Sequence, residues 1–531
     1  MRHKTWIAIV LLLLAFAFRL CVARYLANDN PGDGKLYALM ARNLLEQHVY
    51  SHEDQAPYNA SLIRLPGYPL FLAGVYSLFG HYSNSAVRIT QAVIDTATCA
   101  LVGLLAFYWE PDRSRKRLAG MAALLLACLC PFTAIYVGTI LTETWASFFA
   151  VSLCLLATLA FVSRSHKTAL LIWTAAGLLG GLGVLFRPDS GLFVFAVGLT
   201  LVLTLVRNVS LKSVGRVVIR GALLSLAFVL VLAPWTARNW RVFHLFQPLA
   251  PAHAEMPGEF VPRGYLAWLR TWVDDGRYIE PVLWSLDDKA ISLSQMPASA
   301  FDSAEEKARV AQLLDQYNHP VPTEESPTAS PTPSPTPSPT PSPTPSASPE
   351  ADENAAAEPD EEVDEEAEDD EQEEPEQLSP EMTPVIDAGF AQLARERIAH
   401  APLRYYLWLP MKRGWSLWAG PHSDYYPFDG ELLPLSELDH GTHQHIWLPF
   451  FSLLVLLYTV VGLAGAFVLF RSRDGDSRRW LLLVALMIFI RLAFFSTIEN
   501  PEPRYVVEFF PFLAALGGIG LANFKKGISR R

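Results

Sequence analysis

The 531-residue sequence contains no Gly-x-x-x-x-Gly-Lys-Ser/Thr loop, no convincing Gly-x-Gly-x-x-Gly before a helix and no Gly-x-Ser-x-Gly elbow. It also lacks a soluble cytoplasmic segment to hold a nucleotide, so ATP-driven and nucleotide-sugar chemistry are disfavoured. Charge is scarce: only 18% of residues are charged against 51% hydrophobic, too apolar a balance for a soluble chain to hide in its cores. Cysteine is scarce as well. Cys21, Cys99, Cys128, Cys130 and Cys154 all lie in apolar runs, without the spacing of a zinc site or a disulfide framework, and read as small core residues.

What is abundant is long apolar sequence. Runs of about 18 to 25 residues, enough to cross about 30 Å of hydrocarbon, fall at about 5–26, 86–109, 118–136, 141–163, 168–186, 190–207, 219–236, 446–470, 479–497 and 506–523. The chain therefore reads as an all-α polytopic membrane protein of about ten spans. Threaded from a cytoplasmic start, Arg113, Arg115, Lys116, Arg117, Arg164, Lys167, Arg207, Lys212, Arg216 and Arg220 fall inside. So do Arg471, Arg473, Arg478, Arg479, Lys525, Lys526, Arg530 and Arg531. The short opposite loops carry almost no such charge, which is the positive-inside pattern with both termini cytoplasmic. Trp6 to Phe18 alone has the length of a signal-peptide core, the alternative reading of the first run.

The net charge of −11 has one source. Residues 350–376 hold 17 carboxylates and no Lys or Arg, and without them the chain sums to +6. Ser326 to Pro349 repeats Ser-Pro-Thr-Pro. Together they read as a disordered insertion at about 322–384, a spacer or a carrier of O-linked sugars. The expected organisation is an N-terminal transmembrane module (1–246) with a first outer loop (27–85), an outer region (247–445) and C-terminal spans (446–531). After the insertion, Phe390, Leu393, Ala394 and Ile398 recur at helical spacing and Tyr405, Tyr406, Trp408, Trp415 and Trp418 follow, which suits a helix lying on the bilayer.

Chemistry-bearing residues gather on the outer side. A Pro-Gly turn presents Asp33 before a short helix containing Tyr37, where a carboxylate either caps the helix or serves as a general base. Arg64 introduces a second helix too short to span. Glu143 enters a span from the second outer loop, Arg187 ends another, Arg238 follows Pro234-Trp235, and Arg504 precedes Tyr505 at the last. Each arginine alone is an ordinary snorkelling residue. Four of them facing two carboxylates, in a topology that otherwise keeps cations inside, point to a phosphate, which guanidinium groups grip bidentately. Arg19, Asp95 and Arg491 lie deeper in the apolar runs, where isolated charges cost several kcal/mol, so pairing is expected. His440, His443 and His445 match no specific metal spacing.

The order of these features resembles the GT-C superfamily of membrane glycosyltransferases, specifically bacterial relatives of protein O-mannosyltransferases and lipid A aminoarabinose transferases. The resemblance rests on Asp33 four residues before Tyr37, Arg64-Leu-Pro-Gly-Tyr68-Pro69, Thr142-Glu143, the Pro234-Trp-x-x-Arg238-Asn239 exit, and Arg504-Tyr505. It implies transfer of a hexosyl or pentosyl group from a polyprenyl-phosphate donor to an extracytoplasmic acceptor, at the inner membrane of a bacterium, without cofactor, metal or nucleic acid. By the same resemblance Asp33 is the base and Glu143 a second acid. Tyr37, Arg64, Tyr68, Arg187, Arg238, Arg504 and Tyr505 are the substrate-binding residues. Gly34 stands where many relatives carry a further acid, which puts in doubt any role needing adjacent carboxylates. Two rivals remain: a transporter or lipid flippase, which would also explain ten spans and intramembrane charge but lacks internal repeats, and an envelope-glycan polymerase on another membrane fold.

Overall fold

The computed structural model describes residues 2–29, 32–80, 82–204, 210–320, 379–433, 435 and 444–528. Its helices, in chain order, are α1 (Arg2–Tyr25), α2 (Asp33–Glu46), α3 (Gly67–Phe79), α4 (Asn84–Trp109), α5 (Lys116–Cys128), α6 (Pro131–Ala134), α7 (Glu143–Val162), α8 (His166–Phe186) and α9 (Gly191–Leu203). They continue with α10 (Leu211–Phe243), α11 (Arg263–Leu269), α12 (Ala304–Asn318), α13 (Pro384–His400), α14 (Leu409–Ala419), α15 (Gln444–Arg471), α16 (Gly475–Phe495) and α17 (Phe509–Ile528). No strand occurs among the described residues, so the chain is an all-α integral membrane protein.

All ten apolar runs become helical, but not all as full spans. Six helices (α1 from Thr5, α4, α7, α8, α10 and α15) are long and apolar enough to cross a membrane, with a seventh if α5 and the segment 131–137, bent by 51°, count as one. The apolar stretches 188–203 and 509–524 are shorter, and α16 carries Asp476, Arg478, Arg479 and Arg491. Among the described residues, length and composition thus support six or seven spans where the sequence pattern suggests ten. The remaining three fall short by length, in the stretches 188–203 and 509–524, or by charge, in α16.

The bundle is held by close backbone approach. A side chain at Gly465 on α15 would collide with the Leu516 carbonyl of α17, and one at Gly177 on α8 with the Leu224 carbonyl of α10; small residues at such crossings let two helices meet where lipid gives no hydrophobic push. The deep arginines that the sequence marks out are paired. Arg19 is fully buried and donates from Nε to Asp95 Oδ2 at 2.6 Å, with further bonds to the Ala127 and Cys128 carbonyls, tying α1 to α4 and α5. Arg491 on α16 meets Asp189 and Glu508, each at 2.9 Å.

A second core sits beside the bundle, where α11 and α13 cross. Tyr265, Trp268, Phe390, Leu393 and Ala394 are buried together there. This corrects the expectation of a surface-lying helix through Phe390: the apolar stripe of α13 is covered by α11, and buried Arg397 is neutralised by Glu306 at 2.7 Å. The exposed apolar run begins later, with Leu403, Tyr406, Trp408, Met411 and Trp415. Residues 379–383, inside the expected insertion, also join this core. Glu381 N donates to the Tyr317 carbonyl at 3.2 Å, Met382 N to Asp287 Oδ1 at 2.8 Å, and the Met382 side chain is buried. The Ser-Pro-Thr and acidic tract lies outside the described residues.

Candidate active site

The helix ends that the sequence marks as polar converge on one cavity of about 1050 Å3. Its lining includes Asp33, Tyr37, Arg64, Glu143, Arg187, Arg504 and Tyr505.

Asp33 is the first residue of α2, where the helix dipole already favours a carboxylate. Arg64 Nη2 donates to its Oδ1 at 2.9 Å, and the Arg504 guanidinium reaches Oδ2 at 3.5 Å. Burial pushes the Asp33 pKa up, but Arg504 and Arg64 outweigh it and hold the carboxyl below its ordinary value. Asp33 thus serves the helix by its charge, without a capping hydrogen bond, and is at the same time an ion-pair partner.

Arg64 is positioned by its neighbours. Tyr50 donates to the Arg64 and Leu65 carbonyls at 3.2 and 3.1 Å, and the turn into α3 passes against the end of α8. Only glycine fits at that passage, because a Cβ at Gly67 would lie 2.6 Å from the Leu185 carbonyl. The close passage is what brings Arg64 and Arg187 to one wall.

Glu143 opens α7 and is almost wholly buried. Arg187 Nη1 donates to its Oε1 at 2.6 Å and Arg187 Nε to Asp189 Oδ2 at 3.0 Å, so Asp189 joins the site to the Arg491 pair in the bundle. Glu143 Oε2 is buried without a hydrogen-bond partner among the described residues, an acceptor position awaiting a donor. Arg504 is held from behind by Glu502, with Nε to Oε2 at 2.5 Å. Glu502 also accepts from the Tyr505 hydroxyl and from Asn500 Nδ2. The Tyr505 ring lies under both Arg187 and Arg504, each 5.3 Å from its centre.

Two sequence-derived candidates stand off the cavity lining. Arg238 donates to the Ser61 carbonyl at 2.7 Å and lies over the Tyr50 and Trp235 rings, bracing the loop that carries Arg64. Tyr68 is fully buried, donates to Gln91 Oε1 at 2.8 Å, and touches Tyr37 edge to face. Gln91 in turn donates to the Thr139 carbonyl, so Tyr68 supports both acid-bearing loops from below.

Other cavity residues escape sequence reasoning. Asp189 and Glu499 sit near arginines in motifs that draw attention only to the cation, and Arg270 and Trp284 come from segments without periodicity or motif. Off the lining, behind Arg504, stand Glu502 and Asp424; Asp424, in the loop after α14, is pushed up to about 7 by burial and by Glu502, with Arg504 opposing. Among the described residues no group of three His, Cys, Asp or Glu side chains is placed to hold a metal ion, and His440 and His443 lie outside them.

Residues 63–235 match the family model described as dolichyl-phosphate-mannose-protein mannosyltransferase. That range includes Arg64, Tyr68, Glu143 and Arg187. No curated protein sequence matches this one. Among solved structures, the chain is similar to the Archaeoglobus fulgidus oligosaccharyltransferase in complex with zinc and sulfate, with TM-score 0.47, 12% identity, and coverage of 98% of this chain and 50% of that one. It is also similar to ArnT from Cupriavidus metallidurans bound to undecaprenyl phosphate, with TM-score 0.37, 13% identity, and coverage of 99% and 79%. The chain therefore spans about half the length of the archaeal enzyme, and likenesses this distant carry no weight for the site, which stands on its own residues. The family match across 63–235 takes in less than half of the chain and is a likeness of that segment to membrane-bound sugar transferases.

Proposed function

We propose that the protein is an inverting glycosyltransferase that moves a hexosyl or pentosyl group from a polyprenyl-phosphate-linked donor to an acceptor outside the cytoplasm, at the inner membrane of a bacterium and with both termini cytoplasmic. The observation that carries it is Asp33, an ionised carboxylate shared between Arg64 and Arg504 in a cavity that Arg187 and Glu143 complete. The name of the matching family, whose donor is a dolichyl-phosphate sugar, supports the same class of donor.

Asp33 takes the proton from an acceptor hydroxyl or amine as that atom bonds to the anomeric carbon. The bond from that carbon to the phosphate oxygen breaks, and its electron pair leaves with the polyprenyl phosphate. One displacement inverts the centre, and a positioned base of this kind contributes about 10²- to 10⁴-fold. The growing phosphate charge is met by Arg64, Arg187 and Arg504, fixed before the reaction. Unpartnered Glu143 Oε2 accepts from a hydroxyl of the sugar or acceptor.

The two arginines on Asp33 weaken it as a base, a difficulty that the donor would lift. Arg504 makes only a loose contact with Asp33, at 3.5 Å. A donor phosphate competes for that guanidinium, and drawing it away restores the basicity of Asp33. Base strength is thereby coupled to donor occupancy.

Purified protein in liposomes, given a panel of labelled polyprenyl-phosphate sugars and extracted envelope acceptors, should move label from lipid to acceptor with inversion. Label that stays on lipid but crosses the bilayer would establish a flippase instead.

A further inference from the structure

The cavity extends well past the charged cluster. At about 1050 Å3 it lies at the top of the usual range for a single small ligand, and its far wall is built by the segment that follows α10 together with the loop before α17. Trp284 lies on this wall, 53% exposed, in a single π-helical turn spanning Glu280–Trp284, a local form that concentrates at functional sites. On the same cavity lining, Arg270 Nε donates to Glu499 Oε2 at 2.5 Å, and His253 Nδ1 lies 3.9 Å from Glu499 Oε1. Asn500 Oδ1, also on the lining, is buried with no hydrogen-bond partner among the described residues.

We infer that this wall is an acceptor subsite for a carbohydrate chain, an inference that rests on the transferase reading and names its acceptor class. An exposed indole face offers a flat apolar platform the size of a pyranose ring, whose axial C–H groups form an equally flat apolar face. The same cavity lining carries planar polar groups of both senses. Glu499 and Asn500 Oδ1 accept, and Arg270 and His253 donate, the set that vicinal hydroxyls, each both donor and acceptor, can satisfy together. The wall is rigid from behind, because buried Arg413 on α14 donates to the Arg270 and Val273 carbonyls, each at 2.6 Å. Glu499 is five residues before Arg504, so an acceptor held here touches the loop that carries a phosphate-facing arginine.

The test is calorimetric binding to purified protein in nanodiscs, which needs no turnover. The probes are neutral, acidic and amino-sugar oligosaccharides, a Ser/Thr-rich peptide, and a polyprenyl phosphate. At least one oligosaccharide class should bind; Trp284→Ala should weaken it about ten-fold or more, and Trp284→Phe, which keeps a ring, by less. Polyprenyl-phosphate affinity should be the same in all three proteins, which also shows that each is folded. Oligosaccharide affinity unchanged in Trp284→Ala, no oligosaccharide binding by the wild type, or peptide binding that Trp284→Ala abolishes would overturn the subsite. Oligosaccharide binding through Trp284 without any sugar transfer from lipid would leave the subsite standing and remove the transferase reading instead.

Discussion

The Arg504 guanidinium stands between two carboxylates, 2.5 Å from Glu502 and 3.5 Å from Asp33. The tight contact fixes its position and the loose one leaves it able to turn toward a third anion. If that anion is the donor phosphate, Asp33 is a base whose strength the substrate sets.

Asp33→Asn should abolish sugar transfer while leaving membrane insertion and donor-lipid binding intact, as followed by transfer of labelled sugar and by lipid co-purification. Wild-type turnover by this variant removes Asp33 from the chemistry.

The pH profile follows from the same pair. With Arg504 and Arg64 lowering the pKa of Asp33 against the effect of burial, the acidic limb of kcat/KM should lie below the ordinary aspartate range, since the base must be deprotonated. Arg504→Gln removes one of the opposing charges and should move that limb to higher pH. A limb that stays in place would mean that another group titrates.

Arg238 should act at a distance from the reaction. Its bond to the Ser61 carbonyl and its seat on Tyr50 and Trp235 predict that Arg238→Ala costs about 1–3 kcal/mol of local stability. Hydrogen exchange should rise across 61–65, and Arg238→Lys should rescue little because the stacked plane is lost. A variant that loses donor affinity with unchanged exchange would put Arg238 on the substrate instead.

Arg19 and Asp95 are a buried pair, 0% and 2% exposed. Arg19→Leu alone should cost on the order of 3–5 kcal/mol by stranding a carboxylate, and the double variant with Asp95→Leu should recover most of it. Thermal unfolding in detergent reads both. Recovery of activity along with stability would confirm a bracing role.

Asp424 and Glu431 are both pushed up to about 7 by burial, with Glu502 adding to the first and Asp275 to the second. A carboxyl whose folded pKa is raised destabilises progressively as pH climbs from its unfolded value through the folded one. Asp424→Asn and Glu431→Gln should therefore raise Tm at pH 8 by more than at pH 5. An equal gain at both would assign the effect to packing.

Much of the site was readable because it sits at helix boundaries, where sequence signals are strongest. Asp33, Glu143 and Arg187 each begin or end a helix, so an apolar run gone abruptly polar located them without tertiary information. Arg238 and Tyr68 carry the same outward marks, yet they stand off the cavity lining, since whether a side chain faces a cavity or the wall behind it depends on which helix passes nearby. The stripe on α13 shows the same limit: Phe390 and Leu393 announce an apolar face, but only the crossing of α11 decides that protein rather than lipid covers it. Trp284 and Arg270 left no trace at all, because their segment folds through short turns with no period to detect.

The bond from Glu381 to the Tyr317 carbonyl has a consequence for chain length. Residues on the two sides of the Ser-Pro-Thr and acidic tract are fastened to each other, so the ends of that tract are closed by the fold itself. Loop-closure entropy grows only with the logarithm of length, about 0.6 kcal/mol per doubling. A change in the number of residues between 320 and 379 therefore adds little closure cost to the described fold, and this junction is where the chain can change length with the cavity undisturbed.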